Sequence, residues 1–302
     1  MELEFTQWTK ENRKLNNLTQ LKKEILQNFE EQNLLDKPII AMLSGGKDSS
    51  TALAMAKDLD LDIKLAVHFV HKWSWELPKT QVQKITKEYD VPLIFYDITD
   101  VLCQRIQGGH SWGKNICKIC KTIMKEKIRE IAYKEKAYTI LTGESALEKI
   151  AGPIFQYVNE TYGSYVYSKM ELTPVPKKYR NIKFFRPLIR CGCNDIEALQ
   201  KHYNVKIERV GEVGNKIGYW REGCCLQYCN SDTKLNTELF DDLYYYNNRL
   251  TALARKHGFR ASIKMPSKEV IILPKKKGYI DLVEKELKEI EKDYSLKNKR
   301  ID

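Results

Sequence analysis

Apolar residues recur along this chain in short runs separated by stretches of helical spacing. The runs at 39–43, 63–70, 93–96 and 138–141 are rich in Ile, Val, Leu and aromatic side chains, the mark of buried strands. Helix-like stretches lie between them, so the pattern predicts an open, mainly parallel α/β sheet with helices on both faces. Ahead of the first run, residues 6–33 are polar, with Leu18, Leu21, Ile25, Leu26 and Phe29 at helical spacing, and read as helices that Asp36-Lys37-Pro38 stops. After a long excursion at 151–180, carrying Pro153, Pro174 and Pro176, regular pattern returns at Lys183 to Leu188. A helix from about Asp195 to Tyr203 follows, with Asn194 as its expected cap. Thr233 to His257 reads as another helix, Glu269 to Leu273 as a strand, and Tyr279 to Tyr294 as a charged helix. The expected organisation is a helical N-terminal extension (1–35), an α/β domain (36–235) and a helical, lysine-rich C-terminal extension (236–302).

Directly after the first apolar run stands Ser44-Gly45-Gly46-Lys47-Asp48-Ser49-Ser50, and a helix-like stretch follows it. Adjacent glycines let successive backbone N–H groups turn toward an anion, and hydroxyls and a helix N-terminus add donors, so the segment reads as a phosphate cradle. Asp48 beside such a cradle is a candidate Mg²⁺ ligand, because a carboxylate can share the ion with phosphate oxygens. The spacing is not that of a Walker A loop. Ser-Gly-Gly-Lys-Asp-Ser resembles the signature of the PP-loop family, the N-type ATP pyrophosphatases of HUP-like fold. That resemblance implies that Ser44, Gly45, Gly46, Lys47, Asp48 and Ser49 grip the pyrophosphate of ATP.

Charge and cysteine content narrow the chemistry. Fifty-one Lys and Arg against forty Asp and Glu, a net charge of +11 in 302 residues, favour an anionic partner larger than ATP. No apolar run is long enough to span a membrane, and the first residues lack a secretory pattern, so a cytoplasmic protein is expected. In that compartment eight cysteines point to metal, cluster or sulfur chemistry rather than disulfides. Cys117-Lys118-Ile119-Cys120 opens a helical run, and its spacing lets both thiolates meet one metal or cluster. A second group, Cys224, Cys225 and Cys229, lies about 100 residues downstream. Four of these five would hold zinc, three would hold an iron–sulfur cluster with one iron left open, and the C-x-x-C alone also suits a thioredoxin-like redox pair. Cys191 and Cys193 read as core residues or as a second sulfur pair.

The order of motifs adds a second resemblance. The loop, the C-x-x-C, Thr142-Gly143, Arg186-Pro187-Leu188 and the later cysteines are arranged as in the cluster-dependent tRNA 2-thiolation enzymes, over roughly residues 35–235. What this implies is an ATP-dependent sulfurtransferase that adenylates a nucleobase carbonyl oxygen in tRNA and replaces it with sulfur. By the same resemblance Cys117, Cys120 and Cys225 hold a 4Fe-4S cluster, with Cys224 and Cys229 as rivals for the third place, and Gly143 joins the ATP site. Expected partners are tRNA and a sulfur donor, either sulfide or a carrier protein, and a homodimer is left open. His68 and His71, near the end of the second strand, are candidates to border adenine or Mg²⁺. His110, Trp112, Lys114, Lys121, Lys125, Lys177, Lys178, Tyr179 and Arg180 are candidates for a basic, aromatic rim that holds RNA. Two other functions compete: a PP-loop enzyme on a small molecule, of the sulfonucleotide reductase or amidating synthase type, and an RNA-binding protein with a structural zinc. The chain departs from the thiolation pattern at Glu144-Ser145, where a histidine and then acidic residues are usual.

Overall fold

The computed structural model describes residues 2–8, 13–108, 111–145, 165–167, 176–207 and 224–298. His110 and most of the 151–180 excursion lie outside them. The chain divides into two compact units: the first comprises 1–69, 76–96 and 124–207, and the second 70–75, 97–123 and 208–302.

The first unit begins with an antiparallel pair, β1 (Glu4–Trp8) and β2 (Arg13–Asn17), and then α1 (Leu18–Glu31). Residues 6–8 and 13–17 therefore lie in paired strands rather than in the expected helix; Phe5 and Gln7 are buried on alternate positions, a period too short to stand out in the sequence. The helical reading holds from Leu18, where the Asn17 side chain accepts the Gln20 N–H and Leu21, Ile25 and Phe29 form the buried stripe.

Next come β3 (Ile39–Met42), α2 (Lys47–Asp58), β4 (Ile63–Val70), α3 (Glu76–Glu88) and β5 (Leu93–Asp97). After α4 (Thr99–Gln107), α5 (Ile116–Lys134) leads to β6 (Thr139–Leu141), and then come β7 (Val166–Tyr167), β8 (Lys183–Phe185) and α6 (Cys193–His202). The strands form one sheet in the order β5-β4-β3-β6-β8-β7. β3 runs parallel to β4 and β6, β6 is parallel to β8, and β7 is the antiparallel edge. Alternation divides the two faces. Ile39, Ala41, Leu141 and Phe185 pack with α1, α2, α3 and α6 in one core, while Phe184 turns the other way, beneath Arg129 of α5 at 4.8 Å. Strand order reverses between β3 and β6, the switch point at whose carboxyl ends ligands of open α/β sheets collect. The cap of α6 is not Asn194: it starts at Cys193, and Asp195 Oδ2 accepts the Gly192 N–H at 2.8 Å.

The second unit contains α4, the start of α5 and the C-terminal elements α7 (Thr237–His257), β9 (Arg260–Ile263), β10 (Val270–Leu273) and α8 (Lys277–Asn298). Asn236 caps α7, Gly258 ends it at a φ of +71°, and β9 and β10 pair antiparallel. No helix among the described residues is long and apolar enough to cross a membrane.

Candidate functional site

In the first unit the residues 44–50 form a turn from the end of β3 into α2. Gly45 has a φ of +73°, and a Cβ there would meet the Pro78 carbonyl oxygen at 2.6 Å, so only glycine fits. The turn is held from within: the Ser44 N–H donates to Ser49 Oγ at 3.2 Å, the two hydroxyls lie 3.1 Å apart, and Ser49 Oγ donates to the Gly46 carbonyl. Unlike α1 and α7, α2 has no side-chain cap, so its first N–H groups remain oriented for an anion. Gly143, just beyond β6, lies against this first turn so closely that a Cβ would fall 2.3 Å from the Ser49 nitrogen. The buried hydroxyls of Ser50, Thr51 and Thr142 have no hydrogen-bond partner among the described residues. A glycine turn, an uncapped helix and buried hydroxyls suit a phosphate chain, and Asp48 in the first turn of α2 would share Mg²⁺ with it.

Two side chains have other tasks. Lys47 reaches Glu197 of α6, with Nζ 3.1 Å from Oε1. His68 is buried, and its Nδ1 lies 2.7 Å from the Leu43 carbonyl oxygen; it therefore donates there and clamps the residue before the loop. Arg186, fully buried at the carboxyl end of β8, pairs with Glu144 directly after Gly143. The Glu144 departure thus supplies a half-exposed partner for a buried arginine, a role not visible in the sequence.

The cysteines gather in the second unit. The segment before α5 pairs with the segment after Cys229: the Gly113 N–H donates to the Thr233 carbonyl at 2.8 Å, the Lys114 N–H to the Ser231 carbonyl at 3.1 Å, and Trp112 bridges Lys234. Gly113 lies so close that a Cβ would sit 3.2 Å from Cys229 Cβ and collide with the Asn230 carbonyl. This pairing closes the long gap in sequence and brings Cys117 and Cys120 together with Cys224, Cys225 and Cys229. Burial first, then the charges of Cys224 and Cys117, push the Cys120 and Cys229 thiols up to about 12. All eight cysteines are free thiols. No three His, Cys, Asp or Glu side chains among the described residues are drawn to metal-holding distance.

His71, a candidate to border adenine or Mg²⁺, lies against the cysteine group. Its Nδ1 accepts the Trp73 N–H at 3.1 Å, so in the neutral ring Nε2 carries the proton, and Nε2 lies 3.4 Å from Cys224 Sγ. The Cys225 thiol donates to the Trp73 carbonyl at 3.4 Å and is fully buried. The Cys225 thiol and His71 hold Cys224 well below the usual thiol range, while Cys225 is raised by its bond to Cys224 and by burial. No periodicity could have found this pairing, since 153 residues separate its members. Cys191 is buried at no exposure beside the N-terminal hairpin, whereas Cys193 is exposed, so they are not a pair held in one environment.

The rim candidates separate. Trp112, Lys114 and Lys121 are exposed near the cysteines. Lys177, Lys178, Tyr179 and Arg180 precede β8, and because β8 runs parallel to β6 and β6 to β3, they stand at the sheet edge opposite the phosphate loop.

Sheet, switch point and glycine turn make an open α/β domain with the turn at the carboxyl end of its central strand. Uncharacterized protein MJ1016 of Methanocaldococcus jannaschii is 52% identical over 294 residues, 96% of this chain and 99% of its own length, and the chain belongs to one family with it. No protein-family profile matches the chain. Among solved structures it is similar to NMN synthetase from Francisella tularensis, with 12% identity and a TM-score of 0.43 over 62% of this chain and 69% of that one. The NH₃-dependent NAD synthetase of Campylobacter jejuni gives 15% and 0.47 over 62% and 73%. U34-tRNA thiolase NcsA from Methanococcus maripaludis, solved with its 4Fe-4S cluster, gives 13% and 0.48 over 91% and 80%.

Proposed function

We propose that this chain is an ATP-dependent sulfurtransferase that replaces a carbonyl oxygen of a nucleobase in tRNA with sulfur. In the first half-reaction the carbonyl oxygen attacks the α-phosphorus of ATP; an O–P bond forms and the bond to pyrophosphate breaks. The N–H groups that follow Ser44 in the turn and at the start of α2 take up the charge gathering on the leaving pyrophosphate, with Mg²⁺ shared by Asp48. In the second, sulfide from a donor attacks the activated carbon, a C–S bond forms, and AMP leaves with the former carbonyl oxygen. A cluster bound by three of the cysteines would supply an iron with no protein ligand, which a zinc staple of four cysteines would not.

The observation that carries this reading is the backbone pairing around Gly113, which groups five cysteines in a chain that also has a phosphate loop. Cys117 and Cys120 are the proposed first two ligands. For the third we take Cys224 over Cys225, because Cys224 faces the His71 donor while Cys225 is fully buried against the Trp73 backbone. Anaerobic metal analysis tests the assignment. About four irons per chain are expected, retained in Asp48→Ala and Cys225→Ser and lost in Cys120→Ser and Cys224→Ser. Zinc in place of iron would reject the cluster.

A further inference from the structure

We propose that the sheet edge opposite the phosphate loop is a binding surface for an unpaired segment of RNA. Three tyrosines line this edge: Tyr133 near the end of α5, Tyr138 just before β6 and Tyr179 in the short turn before β8. Tyr133 and Tyr138 are 52% and 46% exposed, although aromatic side chains of this size are ordinarily buried more deeply. Tyr133 and Tyr179 meet edge to face at 5.5 Å, and the Lys178 ammonium lies 4.8 Å from the Tyr179 ring centre and 5.8 Å from that of Tyr133. Beside them a groove of about 500 Å³ is lined by Tyr138, Arg180, Lys183, Lys37 and Asn181, within the range that holds a small-molecule-sized group.

The combination is specific in kind. Exposed ring faces give flat platforms for bases, which every base can use, and cations placed among them meet the phosphates between those bases. Lys37, Lys177, Lys178 and Arg180 are all exposed here. The acids at the same end of α5 are engaged elsewhere, Glu130 with Lys127 and Glu135 with Lys64, each at 2.9 Å, so the edge keeps its positive character. A duplex hides its base faces, which leaves unpaired nucleotides as the ligand that uses both features. This inference rests on the RNA reading of the function and places a contact away from the reacting base, since the loop occupies the other edge of the same sheet.

The test is fluorescence anisotropy of the full chain with a labelled unpaired RNA oligonucleotide and with a tRNA transcript, across a series of salt concentrations. The triple variant Lys177→Ala/Lys178→Ala/Arg180→Ala should bind about tenfold more weakly and lower the slope of log K against log salt by about 2, at roughly 0.7 per phosphate contact. Tyr133→Leu/Tyr138→Leu should also lose about tenfold but keep the slope, because stacking is not a counterion effect. Wild-type affinity in both variants would overturn the surface and leave the thiolation reading standing. Equal capture of the wild-type chain by vesicles rich in phosphatidylserine, lost in the triple variant, would overturn it in favour of a lipid headgroup. Failure of the wild-type chain to bind either RNA would remove this surface and the RNA substrate together, leaving the metal content as the separate test of the cysteine site.

Discussion

Gly143 is where strand β6 and helix α2 come into contact, and a methyl group there would lie 2.3 Å from the Ser49 nitrogen. Gly143→Ala must therefore push the end of β6 away from the cradle. Titration calorimetry with ATP and Mg²⁺ should show affinity reduced at least about tenfold, roughly 1.4 kcal/mol, with iron content unchanged; full affinity would place Gly143 outside the ATP site. Cys191 offers a different residue-scale test. Burial pushes its thiol up to about 12, so between the unfolded value near 9 and that point the folded chain binds one more proton than the unfolded chain. Stability should then fall as pH rises through this window, by up to about 1.4 kcal/mol per pH unit for this thiol. Cys191→Ala should flatten that fall in denaturant titrations at pH 8 and 10. The glycine turn was legible in the sequence because it is contiguous. The pairing of His71 with Cys224, and of Arg186 with Glu144, was not, because each joins residues far apart in the chain whose meeting depends on the fold.

At the scale of elements, apolar runs located β3, β4, β5 and β6 to within a residue or two, and helical spacing located α1, α6, α7 and α8. Strands β3, β4 and β6 are buried and apolar on both faces, so their runs stand out in any window, whereas β5 keeps an apolar run at the sheet edge with Ile94 and Phe95 exposed. The N-terminal strand pair did not stand out, since among its described side chains Phe5 and Gln7 are buried while its apolar Leu15 faces solvent. Helix α1 shows how the elements depend on each other: Phe29 is wholly buried and meets Phe185 of β8 edge to face at 4.8 Å. Phe29→Ala should cost about 3–5 kcal/mol in chemical denaturation. A cost below about 1 kcal/mol would mean that α1 is an appendage to the sheet rather than part of its core.

For the whole molecule, the net charge of +11 and the grouping of five cysteines give meaning to a phosphate loop that by itself fits many ATP-dependent reactions. In the proposed reaction the loop would activate an oxygen and the cysteine group would serve its replacement by sulfur. The most direct test is mass spectrometry of nucleosides from unmodified tRNA incubated anaerobically with the iron-loaded chain, ATP, Mg²⁺ and sulfide. The account predicts one new thionucleoside, formed with equal amounts of AMP and pyrophosphate and absent with Asp48→Ala. Consumption of ATP with no thionucleoside in any tRNA, or a thionucleoside formed without ATP, would contradict it.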